Sequence, residues 1–126
     1  MTTKRNVIAV VDDHLGVLGA IGRLLSTLGY RTELYASAKE FLDAAATSEA
    51  ICLILDIELG ETSGIELAQH LEIAGFNFPV IFMTANTNES VQKGARKVGC
   101  IDFLIKPFTS GALIEALTNL SPRSSP

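Results

Sequence analysis

Five side chains capable of chemistry stand where short apolar runs end. Val7 to Val11 runs into Asp12 and Asp13, Ile51 to Leu55 into Asp56, Val80 to Met83 into Thr84, and Ile101 to Ile105 into Lys106. If those runs are strands of one parallel sheet, three carboxylates, a hydroxyl and an ammonium converge on one edge of it. Carboxylates packed together repel, and two like charges at 4 Å cost about 4 kcal/mol at an effective dielectric near 20. A hard divalent cation relieves that repulsion, and carboxylate, carbonyl and water ligands suit Mg²⁺. Lys106 neutralises part of the remainder and is placed to hold an anion.

Taken singly, each residue has a plain structural reading. Asp12 and Asp13 read as helix caps, Thr84 as a turn residue, and Lys106 before proline says almost nothing. Glu58, two residues past Asp56, reads as a solvent-facing side chain on a loop. The joint pattern, one polar group at each of four strand ends, is what argues for a site.

The elements that must position these groups are legible in the patterning. The four runs are rich in Val, Ile and Leu with little polar alternation, as strands buried on both faces of a parallel sheet are. A fifth run, Arg31 to Tyr35, alternates and suits an edge strand. Between the runs lie helical patterns. Leu15, Leu18, Ile21, Leu24, Leu25 and Leu28 recur at three- and four-residue spacing, with Gly29 as the stop. Ser37-Ala38-Lys39-Glu40 and Ser63-Gly64-Ile65-Glu66 read as capping boxes that open two further helices. Asn88 to Val98, stopped by Gly99, and Thr109 to Leu120 complete five strand–helix units. Such alternation predicts an α/β fold, a parallel sheet with helices on both faces. Right-handed crossovers then put all strand carboxyl ends on one rim, where open sheets of this kind carry their sites.

Size and composition agree. The chain has 126 residues, 48% of them apolar and 19% charged, enough for one globular core without disulfides or structural metal. The net charge of −4 and the lack of a basic run argue against direct nucleic-acid binding. No apolar stretch reaches membrane-spanning length, and the N-terminal run ends in two aspartates instead of a cleavage site. Cys52 and Cys100 read as buried free thiols. These features predict a cytoplasmic protein with no membrane association. Residues 121–126 read as a tail or the start of a linker.

The segments Val10-Val11-Asp12-Asp13, Leu55-Asp56-Ile57-Glu58, Met83-Thr84-Ala85 and Phe103-Leu104-Ile105-Lys106-Pro107-Phe108, together with Gly64, resemble the receiver domains of bacterial response regulators. The resemblance runs over residues 6–120. The segments Tyr35 to Leu42 and Val80 to Ala85 look most like FixJ-type receivers within this CheY-like family. It implies a flavodoxin-like, doubly wound five-stranded sheet of order 2-1-3-4-5. It also implies that Asp56 is the nucleophile that accepts a phosphoryl group from a histidine kinase or phosphotransfer protein. Asp13, Asp56 and the backbone carbonyl of Glu58 would bind Mg²⁺ (or Mn²⁺) directly, and Asp12 through water. Thr84 and Lys106 would contact the phosphoryl oxygens, with Ala85 and Pro107 as neighbours, and the Lys106–Pro107 bond would be cis. Thr84 and Phe103 would form the conformational switch, while Glu58 and Asn86 would set the lifetime of the acyl phosphate. The family also implies a homodimer surface on the fourth helix, fifth strand and fifth helix. It implies no enzymatic activity beyond self-phosphorylation and self-dephosphorylation.

The physics of the residues is compatible with those roles. Phosphoryl transfer is mainly positioning plus electrostatic stabilisation, and a carboxylate is ionised at neutral pH in its ordinary state. Two features depart from the family pattern. His14 stands where relatives often carry an acid, although it reads as a plain exposed helix-start residue. Residues 59–64 lack the usual proline, and Gly60 predicts a looser loop. Both bear on metal affinity and kinase docking. Three other readings fit less well. Dehalogenase-like phosphatases place an Asp two residues after the nucleophile, where this chain has Glu58, and their cap domain does not fit in this length. A phosphate-independent binding module would have lost the acidic pair or Lys106. Flavin binding lacks a Gly/Thr-rich phosphate loop after the first strand.

Overall fold

The computed structural model describes residues 6–60 and 62–120, and the tail expected at 121–126 lies outside them. Strands β1 (Val7–Val11), β2 (Arg31–Tyr35), β3 (Cys52–Asp56), β6 (Val80–Thr84) and β7 (Asp102–Ile105) form one parallel sheet in the order β2-β1-β3-β6-β7. Two short strands, β4 (Glu58–Leu59) and β5 (Thr62–Ser63), pair separately as an antiparallel hairpin. Counting only the main sheet, the order is the expected 2-1-3-4-5.

The period of two along each central strand sorts its side chains onto two faces. Ala9, Val11, Leu53, Leu55 and Phe82 pack on one side with Phe41, Leu67, Leu71 and Ala95. These partners come from α2 (Ala38–Ala44), α3 (Gly64–Ile73) and α4 (Glu89–Val98). Ile8, Val10, Ile54, Ile81 and Met83 pack on the other with residues of α1 (Leu15–Thr27) and α5 (Ser110–Thr118). Phe41, Phe82 and Leu25 have no exposed surface. Each such burial contributes about 1.5–3 kcal/mol. These two layers hold the fold and allow the rim to carry polar groups that cost stability.

Local differences from the sequence reading have local causes. The run ending at Ile105 was expected to be buried on both faces, but β7 is the edge strand and only Leu104 within it is buried. Ser37 caps α2 by accepting the Glu40 N–H, yet the Glu40 carboxylate reaches the Ala36 N–H, so the reciprocal box is displaced by one residue. The box at Ser63 and Glu66 is complete. Cys52 is buried as expected, and Cys100, just outside β7, is only half-buried. The segment expected to be a loose loop contains the β4–β5 hairpin, with Gly60 at positive φ in its turn and Leu59 buried.

Candidate functional site

The staggered register of β1, β3, β6 and β7 brings their carboxyl ends together, and the expected polar groups meet there. Asp12, Asp56 and Thr84 are the buried polar residues of the described chain, none more than 1% exposed. Lys106 bridges two of them, its Nζ lying 3.0 Å from Asp12 Oδ2 and 2.7 Å from Asp56 Oδ2. The other carboxylate oxygens accept backbone N–H groups, Asp12 Oδ1 from His14 and Asp56 Oδ1 from Glu58, both at 2.9 Å. The Lys106 N–H donates to the Thr84 carbonyl at 2.8 Å, which ties the ammonium's strand to the hydroxyl's. The Lys106–Pro107 peptide is cis.

Thr84 is held by the two residues expected to influence lifetime. Its hydroxyl donates to the Glu58 carboxylate, with oxygens at 2.8 and 2.9 Å, and accepts the Asn86 N–H at 2.9 Å. Glu58 is exposed, as expected, but it sits in a strand and its carboxylate is engaged with the site. Its backbone N–H meanwhile touches Asp56. Asn86, Ala85 and Pro107, which follow Thr84 and Lys106 closely in the chain, are exposed. Phe103 is half-buried and packs against the core face that carries Phe82, its partner in the β6–β7 register.

Asp13 is exposed beside the buried pair. Ligand atoms of Asp12, Asp13, His14 and Asp56 all lie within 4.8 Å of one another. Three carboxylates against the one ammonium of Lys106 leave two negative charges, which a divalent cation would balance. The oxygen donors match the preference of Mg²⁺ and Mn²⁺, so the residues fit such an ion. His14 does sit at the helix start, as N-cap of α1 and 70% exposed at its side chain. Its Nδ1 nevertheless lies 3.4 Å from Asp13 and 3.5 Å from Asp12, closer to the acidic cluster than a plain surface position implies.

Gly64 is a site residue whose physical role sequence chemistry missed. A Cβ there would collide with the Asp56 backbone carbonyl. The Gly64 N–H donates to the Ile57 carbonyl at 2.8 Å. The signals in the sequence were its match to the family pattern, which carries no physical reason, and a glycine inside a capping box, where a side chain is otherwise tolerated.

Burial raises the Asp56 carboxyl above its ordinary 3.8, the Lys106 ammonium and Glu58 N–H pull it back in part, and Asp12 raises it further. For Lys106, burial works against the charge, but bonds to Asp56 and Asp12 outweigh it and raise the ammonium above 10.5. Both directions follow from two carboxylates sharing one cation. The raised Asp56 value means that its ionised form opposes folding. Stability from this group is present below 3.8 and is lost as pH rises through the raised folded value. Asp56→Asn is therefore expected to melt higher than wild type at pH 7 without added metal. The gap should close as pH falls toward the ordinary carboxylate range. Thermal melts across pH check this, and a lower melting temperature for the variant at pH 7 contradicts it.

The comparisons with known proteins agree with this fold. The family model described as the response regulator receiver domain matches residues 8–118. The response regulator protein TodT of Pseudomonas putida is 33% identical over 117 residues, spanning 93% of this chain and 52% of TodT. The transcriptional regulatory protein FixJ of Bradyrhizobium diazoefficiens is 29% identical over 126 residues, spanning all of this chain and 61% of FixJ. The chain thus spans about half to three-fifths of the length of these relatives. The crystal structure of FixJ-N superposes with a TM-score of 0.88 at 27% identity, covering 98% of this chain and 99% of that one.

Proposed function

This chain belongs to the response regulator receiver domain family, and from that premise we propose that Asp56 is its phosphoacceptor, taking a phosphoryl group from a histidine kinase or phosphotransfer protein. The observation that carries the assignment is the pairing of Asp56, buried to 1% exposure, with Lys106 at 2.7 Å at the carboxyl rim of the sheet. An Asp56 oxygen forms the new P–O bond as the donor's P–N bond breaks, and the bonding pair leaves on the imidazole nitrogen. Asp56 needs no separate base in its ionised form. Lys106 already contacts the Asp56 carboxylate at Oδ2, and from there it can follow charge developing on the phosphoryl group.

Asp13, Asp56 and the backbone carbonyl of Glu58 would hold Mg²⁺ or Mn²⁺, with Asp12 acting through water, and the ion would offset charge on the phosphoryl oxygens. Buried Asp12 orients Lys106 as a second carboxylate on the same ammonium, at 3.0 Å. Ala85 is small enough to leave room at the mouth, and Pro107 follows the lysine there.

Phosphorylation adds roughly 1.5 to 2 negative charges and new acceptor oxygens. Thr84 turns toward them, and Phe103, half-buried in the resting chain, fills the space it vacates. Moving a population from 1:99 to 99:1 takes about 5.5 kcal/mol of differential stabilisation, within reach of a dianion contacted by an ammonium, a hydroxyl and a metal. The surface of α4, β7 and α5 transmits the change to a partner or a second copy of the chain. Glu58 and Asn86 flank the approach of hydrolytic water and set the acyl phosphate lifetime. The chain's chemistry is confined to its own phosphorylation and dephosphorylation. No described helix is long and apolar enough to cross a membrane.

Incubation with acetyl phosphate and Mg²⁺, followed by intact-mass measurement, tests the acceptor. Wild type should gain one phosphoryl group and Asp56→Asn none. An equal gain in both would move the acceptor elsewhere.

A further inference from the structure

The Thr84 hydroxyl has a single proton to donate, and in the resting chain it gives that proton to a carboxylate. Glu58 presents both oxygens to it, at 2.8 and 2.9 Å, while the Asn86 N–H occupies the oxygen's acceptor side. A phosphoryl oxygen on Asp56 would require the same proton. We propose that the Glu58 carboxylate is a resident surrogate for a phosphoryl oxygen, a latch that holds Thr84 in the resting arrangement until the acyl phosphate displaces it. The inference rests on Asp56 being the acceptor. It concerns the resting equilibrium and is separate from any effect on the lifetime of the phosphorylated form.

The local structure suits such a latch. Glu58 is fixed at its backbone by pairing with Ser63 in the β4–β5 hairpin, and the hairpin is anchored by buried Leu59. Its N–H donates to Asp56 Oδ1. One residue therefore touches the acceptor through its backbone and the switch hydroxyl through its side chain. Glu58 is exposed, so its released carboxylate has water at hand and loses little by swinging outward. A phosphoryl dianion arriving at Asp56 repels that carboxylate and offers Thr84 a replacement acceptor of the same charge type. Hydrogen bonds to an ionised acceptor are about twice as strong as neutral ones, so the bond being exchanged is large enough to bias a two-state element.

The test is a double-mutant cycle read by beryllofluoride, a stable phosphoryl mimic, titrated at saturating Mg²⁺. Glu58→Ala should tighten beryllofluoride binding about tenfold when Thr84 is present, and by less than about twofold in a Thr84→Val background. Glu58→Gln, which keeps a carbonyl acceptor without the charge, should fall between wild type and Glu58→Ala. In metal-free Glu58→Ala, the Thr84 methyl resonance should move toward its beryllofluoride-bound position, a shift that general destabilisation would not produce. Equal tightening in both Thr84 backgrounds would mean simple charge repulsion and would overturn the latch. Unchanged or weaker binding in Glu58→Ala would overturn it as well. A wild-type chain that neither binds beryllofluoride nor gains mass from acetyl phosphate would overturn both the latch and the acceptor assignment. Intact binding without coupling removes the latch alone.

Discussion

Lys106→Met is expected to lower the rate of phosphoryl uptake from acetyl phosphate by about 10²–10³, the usual effect of removing one preorganised electrostatic group. The same substitution should also destabilise the resting fold. The Lys106 side chain is 16% exposed, and its ammonium contacts carboxylate side chains exposed by 0% and 2%. Removing one partner of such a buried set leaves the others uncompensated, at a cost of about 3–5 kcal/mol. Relief of the lysine's own desolvation works in the opposite direction. The raised ammonium decides the sign, because its bonds to Asp56 and Asp12 outweigh burial. That contribution is fully present below the ordinary lysine value of 10.5 and is lost as pH rises through the raised folded value. The stability difference should therefore hold across neutral pH. It should shrink in strong alkali, and also in acid as the carboxylates take protons. Added Mg²⁺ should raise the melting temperature of Lys106→Met by more than that of wild type, since a dication replaces the missing charge. Denaturant melts with and without Mg²⁺, beside intact-mass time courses, read all three effects. A variant phosphorylated at the wild-type rate would remove Lys106 from the chemistry, and a variant as stable as wild type would remove it from the electrostatics.

Much of this arrangement is legible in the sequence, for one physical reason. Strands covered on both faces have little choice of composition, so Val7–Val11, Cys52–Asp56 and Val80–Thr84 announce themselves as apolar runs. The right-handed crossover rule then places their ends on one rim. Once the rim exists, Asp12, Asp56, Thr84 and Lys106 have nowhere else to meet. What the sequence hides depends on short-range geometry. By pattern alone Glu58 reads as a solvent-facing loop residue, because a two-residue strand has no periodicity to detect, and only the family resemblance gave it a role. Its bond to Thr84 spans 26 positions, a separation at which no local pattern operates. Residues 59–64 read as loose because a glycine without proline suggests freedom. The same Gly60, at positive φ, is what lets the hairpin turn. The edge position of β7 followed from the expected strand order and not from its composition, because an edge strand and a central one differ in neighbours more than in residues.

The second large effect is expected at Gly64, the N-terminal residue of α3, where only hydrogen fits. A Cβ placed there would overlap the Asp56 backbone carbonyl and press on the Asp56 carbonyl carbon and Ile57 Cα. All three obstacles are backbone atoms, so no rotamer change relieves them. The backbone they belong to is pinned, since the Ile57 N–H donates to Met83 at 2.9 Å and the Gly64 N–H to Ile57 at 2.8 Å. Gly64→Ala would normally gain from the better helix propensity of alanine, by about 1 kcal/mol at an interior helical position. The collision should reverse that sign and destabilise the fold by about 1–3 kcal/mol, the range of forced overpacking. If the strain is relieved by moving Asp56, its carboxylate leaves the geometry set by Lys106 and Glu58, and a displacement near 1 Å can cost about 10² in rate. Phosphoryl uptake should therefore fall even at temperatures where the variant is fully folded. That loss separates a displaced acceptor from a merely weakened fold. A folded Gly64→Ala chain with wild-type stability and uptake would mean that α3 can retreat from the acceptor strand without disturbing it. The close approach of α3 to Asp56 would then have no part in positioning the site.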